Sequence, residues 1–124
     1  MAKSIHDDIL DAAFDELIAN GNEINVCSQE PTTYAEAHTT YKLAQHVLAG
    51  GDYSKANGDV SGRKVTVAQQ ADIEVLANGT ATHIAITDTI NSTLLLVTTC
   101  TSQVLTDGNT VTIPAFDDEI ADPT

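Results

Sequence analysis

The sequence predicts a mainly β fold, an antiparallel β-sandwich or small barrel carrying one N-terminal α-helix. Three observations lead there. Apolar residues make up 42% of the chain, but tryptophan is absent and the aromatics are only Phe14, Phe116, Tyr34, Tyr41 and Tyr53. A core must therefore come from Val, Ile, Leu and Ala, with threonine on half-buried surface, a mixture that suits pleated sheets. Short alternating runs separated by Asn, Asp and Gly turn signals fill the second half of the chain, and helical periodicity is clear only near the start. A length of 124 residues fits one domain, 1–124, with room for one core.

The helix is expected over 4–20. Ile5, Ile9, Ala12, Ala13, Leu17 and Ile18 fall near one face, with Leu10 and Phe14 at its margins. Ser4 followed by Asp7 resembles a capping box, Asp7 and Asp8 suit the positive end of the dipole, and Asn20-Gly21 offers a left-handed stop. The stretch 23–49 reads as strand and turn. Glu23–Ser28 alternates, with Ile24 and Val26 on one face, and Pro31 interrupts it. Tyr34–Thr40 fits a helical turn capped by Thr32 or Thr33, and Tyr41–Leu48 a further strand. Residues 50–62, GGDYSKANGDVSG, have the composition of a long surface loop.

From 63 to 115 the pattern is that of an antiparallel β meander. Val65 and Val67 alternate with polar neighbours, as do Ile73 and Val75. Asn78-Gly79 is the strongest hairpin signal, since a two-residue turn of that type needs positive φ at both positions. Thr82, Ile84 and Ile86 follow on one face, Asp88–Asn91 makes a second turn into Leu94–Thr99, and Asp107-Gly108 joins Gln103–Leu105 to Val111–Ile113. The acidic tail, 116–124, fits either a final edge strand, whose acids discourage stray pairing, or a loose segment that docks on a partner.

Eighteen acids against five bases give a formal charge of −13. Phosphate binding needs Lys and Arg in place of counterions, so a direct role on nucleic acid is not expected. The only adjacent basic pair is Arg63-Lys64. Such acidity favours solubility and suits a partner with a basic surface. The start MAKSIHDD has no apolar stretch of signal-peptide length, and the longest apolar run, Leu94–Val97, is far short of a membrane span. A reducing, soluble compartment without membrane contact is the expectation. The sequons at Asn78 and Asn91 then read as turns.

No motif for chemistry is recognisable. His6, His38, His46 and His83 are the candidate bases, but no GxSxG elbow, HExxH, Walker loop or dinucleotide fingerprint accompanies them. His83 reads as an exposed or hydrogen-bonded strand histidine. Asp117 and Asp118, being adjacent on a strand, would point to opposite faces. The Asp52–Asp59 stretch lacks EF-hand order and its terminal glutamate. Cys27 and Cys100 have no zinc-type spacing and fit two small buried thiols, with a disulfide as the alternative. No catalytic, metal or cofactor site is expected.

Three segments carry a resemblance. They are Cys27 to Ala37 (CSQEPTTYAEA), Ser61 to Ala68 (SGRKVTVA), and Thr98 to Gln103 (TTCTSQ) through Leu105 with Gly108 to Ala115 (GNTVTIPA). In that order, behind a short N-terminal helix, they resemble small virion-associated proteins of tailed bacteriophages and prophages, over about Ile9 to Pro123. The resemblance implies a capsid decoration (cement) protein, not an enzyme. Its partner would be the major capsid protein, whose outer lattice it would cover as a homo-oligomer such as a trimer. It would be made in the bacterial cytoplasm and end on the virion surface. A neck or tail component is the nearest alternative, and a β-sandwich module for carbohydrate or a host surface is a third. That third reading is weakened because all three tyrosines precede the main β region. The 50–62 loop and the helix are the expected contact elements, although the helix's apolar face also fits a lid over the domain's own core.

Overall fold

The computed structural model describes residues 4–123, so the outermost ends of the 1–124 domain and of the 116–124 tail lie outside the described residues. Helix α1 (Asp7–Asn20) is followed by nine strands: β1 (Glu23–Cys27), β2 (Lys42–Val47), β3 (Tyr53–Asn57), β4 (Arg63–Val67), β5 (Gln70–Glu74), β6 (Gly79–Asp88), β7 (Thr93–Leu105), β8 (Thr110–Ile113) and β9 (Phe116–Ile120). They form three antiparallel sheets, with orders β2-β1-β6-β7, β3-β4-β9 and β5-β8. The mainly β, sandwich-like expectation with one N-terminal helix holds, and the sheets do not close into a barrel.

One apolar cluster joins all three sheets and the helix. Ile24 and Val26 of β1, Ile84 and Ile86 of β6, Val65 and Val67 of β4 and Ile73 of β5 meet there, all nearly inaccessible to water. Each such side chain contributes about 1.5–3 kcal/mol relative to leaving it exposed. The registers explain the facing. Ile24 lies opposite Ile86 and Val26 opposite Ile84, so the inner face of β1 continues into that of β6.

The helix forms where expected but caps and faces differently. It begins at Asp7, not Ser4, and the ring nitrogen Nδ1 of His6 accepts a hydrogen bond from the Asp8 N–H at 3.1 Å. Leu10, Phe14 and Leu17 are the buried positions, whereas Ile9 is 66% exposed. Ion pairs from the helix to β3 and β4 accompany this rotation. Arg63 forms two hydrogen bonds to the Asp11 carboxylate, at 2.9 and 3.3 Å, and Lys55 pairs with Asp15. Gly21 ends the helix at φ −75°, so no left-handed stop exists. Glycine is required there by close approach, since a Cβ would lie 2.6 Å from the Tyr53 hydroxyl and 2.7 Å from the Leu17 carbonyl oxygen. The same hydroxyl donates to the Gly21 carbonyl at 2.7 Å and ties β3 to the helix end.

The expected long loop at 50–62 is mostly structured. A short turn at Gly50–Asp52 leads into β3, which pairs with β4 from Tyr53↔Val67 to Asn57↔Arg63. Its loop-like composition hid two facts: Tyr53 is buried, and Lys55 is held by acids of the helix. Only Gly58–Gly62 remains as the connecting turn, with Gly62 at φ +72°.

The 63–115 stretch is not a meander. Asn78-Gly79 makes no hairpin, because β5 pairs with β8 and neither residue has positive φ. The Asn78 side-chain oxygen instead accepts from the Asp107 N–H at 2.8 Å, and a Cβ on Gly79 would press on Leu43. Gly108 does turn at φ +90°, yet the strands it separates, β7 and β8, belong to different sheets. Only the Asp88–Asn91 turn joins paired neighbours as expected, here β6 and β7, with the Asp88 carboxylate accepting from the N–H groups of Ile90 and Asn91. The tail takes the ordered alternative. As β9 it pairs with β4 at the edge of its sheet, Arg63↔Ile120 to Val67↔Phe116.

Candidate functional site

Two places hold the residues that chemistry or binding could use. The first is the outer face of the large sheet, where side chains of β1 and β6 opposite the core lie beneath the single wide turn Glu36–Thr40. Buried polar residues gather there: Glu23, Asn25 and Thr87. His38 Nδ1 lies 2.6 Å from the Glu23 carboxylate, and the Tyr34 ring stacks on His38 at 5.0 Å. Local sequence builds the turn as expected, with the Thr33 hydroxyl accepting from the Glu36 N–H at 3.2 Å. Burial, then the nearby carboxylates of Glu23 and Asp88, holds the Tyr34 phenol above its usual range.

A carboxylate–imidazole pair orients a base, but nucleophilic catalysis also needs an activated nucleophile on the imidazole. Among the described residues no hydroxyl or thiol hydrogen-bonds to His38. Cys27, on the same face, donates to the Ala37 carbonyl, and burial pushes its thiol up to about 11, away from the reactive thiolate. Asn25 donates to Thr87 at 3.3 Å, while its buried side-chain oxygen has no partner among the described residues. Through the Glu23–His38 and Cys27–Ala37 contacts this face holds the Glu36–Thr40 turn against the sheet.

The remaining sequence candidates are dispersed. His6 caps the helix, His46 is exposed on β2, and His83 pairs with the Thr82 hydroxyl at 2.9 Å. Cys27 and Cys100 are both free thiols. Asp117 is bound by the Thr66 hydroxyl and Lys64, which hold its carboxyl below the usual range, whereas Asp118 makes no ion pair among the described residues. No group of three or more His, Cys, Asp and Glu among the described residues is placed to hold a metal ion. No helix among them is long and apolar enough to cross a membrane.

The second place is a seam that sequence reasoning did not find. Strand β7 is an edge of the large sheet and β9 an edge of the three-stranded sheet, and the two are not paired. Between them runs a series of adjoining hollows. The largest, about 330 Å³, has a floor of Val26, Ala81 and Ile84 and walls from the β7 segment around Cys100 and from the chain leading into Phe116. A small hollow of about 60 Å³ shares Thr98 and Phe116 with it. The third, about 230 Å³, shares Leu96 and Asp118 with the small one and ends against Phe14, Glu16 and Leu17 of the helix. Topology creates the seam: after β7 the chain pairs β8 with β5 and then β9 with β4, so no strand among the described residues pairs with the outer edge of β7.

The β7 edge is long and bare. It has 13 residues, and no charged residue lies between Asp88 and Asp107. Edge strands are normally protected by charge, proline or brevity. Here Leu95, Leu96 and Cys100 pack only partly against the core, and Val104 is 76% exposed. The one signal available beforehand was that charge-free stretch. Comparison with protein-family models, with curated proteins and with solved structures gave no match.

Proposed function

We propose that this chain is a structural protein of a tailed-phage virion, a decoration protein that binds the outer surface of the major capsid protein lattice as a homo-oligomer and catalyses nothing. The observation that carries the reading is the uncharged β7 edge beside an apolar cleft, a surface suited to another protein's main chain and side chains. The three sequence segments that resemble virion-associated proteins support it, as does a body whose helix and strands are tied by ion pairs. Repetition over a symmetric shell lets modest contacts at each site hold the layer in place.

Cryo-EM of virions carrying this protein is the direct test. Density for the β body at regular positions on the outer lattice is the expected result. Density confined to neck, tail or fibres would replace this reading with the adaptor or host-surface alternatives.

A further inference from the structure

We infer that the β7 edge is the acceptor for an extended segment of a partner protein, one with apolar residues at alternate positions and a lysine or arginine at the end lying beside the helix. The inference deepens the proposal above and rests on it for the partner's identity, the capsid protein. The edge supplies main-chain donors and acceptors with no neighbouring strand among the described residues, the condition for strand addition. The hollow of about 330 Å³ beside it offers an apolar floor to every second side chain of an added strand.

Charge selects the occupant. Where the seam meets the helix, Glu16 and Asp118 line the hollow, and neither is paired with a cation among the described residues. Lys55, Arg63 and Lys64 are engaged elsewhere. A basic side chain at that end completes two carboxylates. A second copy of this chain brings another −13 of formal charge, so the acidic end opposes it.

The test uses the full chain with a short peptide of alternating valine and threonine flanked by lysines, and the same peptide flanked by glutamates. NMR shifts and slowed amide exchange are expected at Thr98–Gln103 and Phe116–Ile120 with the lysine peptide. The glutamate peptide should bind more weakly by about tenfold or more. Asp118→Lys and Thr101→Lys, both at exposed positions, should weaken the lysine peptide comparably while keeping the wild-type circular dichroism. Val47→Lys, exposed on β2 at the opposite edge of the large sheet, should not. Neutralising the acidic end by Glu16→Gln gives a second, helix-side variant with the same expectation.

Equal binding of the two peptides, or shifts mapping elsewhere, would overturn the inference. So would a dimer in solution whose β7 amides are already protected without peptide. Co-sedimentation with shells lacking the protein separates the two proposals. If wild type and Thr101→Lys bind shells equally, strand addition fails and the decoration reading stands. If wild type ignores shells yet takes the lysine peptide on β7, the decoration reading fails and the acceptor edge stands.

Discussion

The helix-facing side of β3 and β4 and the open edge of β7 treat charge in opposite ways. On the first, Asp11 and Asp15 of the helix meet Arg63 and Lys55, while on the opposite face of β4 Lys64 bridges Asp59 and Asp117 of β9. On the second, 13 consecutive strand residues carry no charge. Exposed ion pairs are individually weak, but together they fix which strand lies where and keep a short edge from pairing with strangers. The bare edge has no such protection although it is the longest strand in the fold. The clamped side secures the fold, and the bare edge is the surface on which the proposed association rests.

Removing the helix's main anchor breaks the clamped side most severely. Phe14→Ala should cost about 3–5 kcal/mol, read as a lower urea midpoint, because the ring is buried between helix and core. Inside the large sheet, Thr87→Val deprives the buried Asn25 amide of its acceptor and should cost about 1–3 kcal/mol. The double variant Asn25→Leu/Thr87→Val removes both partners and should recover much of that loss. A double variant no more stable than the single would mean that Asn25 matters through something other than this bond.

Acid should loosen the clamped side and, with it, the turns that Asp88 and Glu36 hold on the large sheet. The Arg63 guanidinium holds Asp11 below its ordinary value of 3.8, Asn91 does the same for Asp88, and the Thr66 hydroxyl and Lys64 for Asp117. Thr32 holds Glu36 below its ordinary 4.5. Lowered folded-state values mean that this stability is complete above about pH 4.5 and is lost as the pH falls through the folded values. Denaturant midpoints should therefore decline from about pH 4.5 downward, and added salt at pH 7 should weaken the two ion pairs among them, Asp11–Arg63 and Asp117–Lys64. The smallest effect belongs to the edge. Thr101→Lys or Val104→Lys should leave stability within about 0.5 kcal/mol of wild type, because both side chains are exposed. A large loss there would assign β7 to the fold's own support and erase the contrast.

Local chemistry made some of this legible. The helix follows from its apolar periodicity, although not with the expected caps, and the turn behind Thr33 and the Asp88 turn follow from side-chain oxygens close in sequence. Pairing across distance was not legible. Asn78-Gly79 has the composition of a hairpin, but the partner of β5 is β8, reached only through contacts set by the whole core. The buried helix face differs from the apolar stripe that Ile5 and Ile9 continue, because the ion pairs to β3 and β4 and the buried Phe14 hold the helix along a different line. Of the seam, the sequence shows only the charge-free stretch between Asp88 and Asp107. The seam arises where two sheet edges fail to meet, a property of strand order that no short segment encodes.

That strand order also governs how the chain reaches its fold. Glu23 must find Thr87 and Arg63 must find Ile120, so both principal sheets are closed by strands distant in sequence. Loop-closure entropy precedes the contacts that reward it, which places folding on the order of milliseconds to seconds. On the ribosome, β4 waits for β9 to emerge before its second edge is covered, and through that interval the molecule exposes more unpaired strand than the finished body ever does.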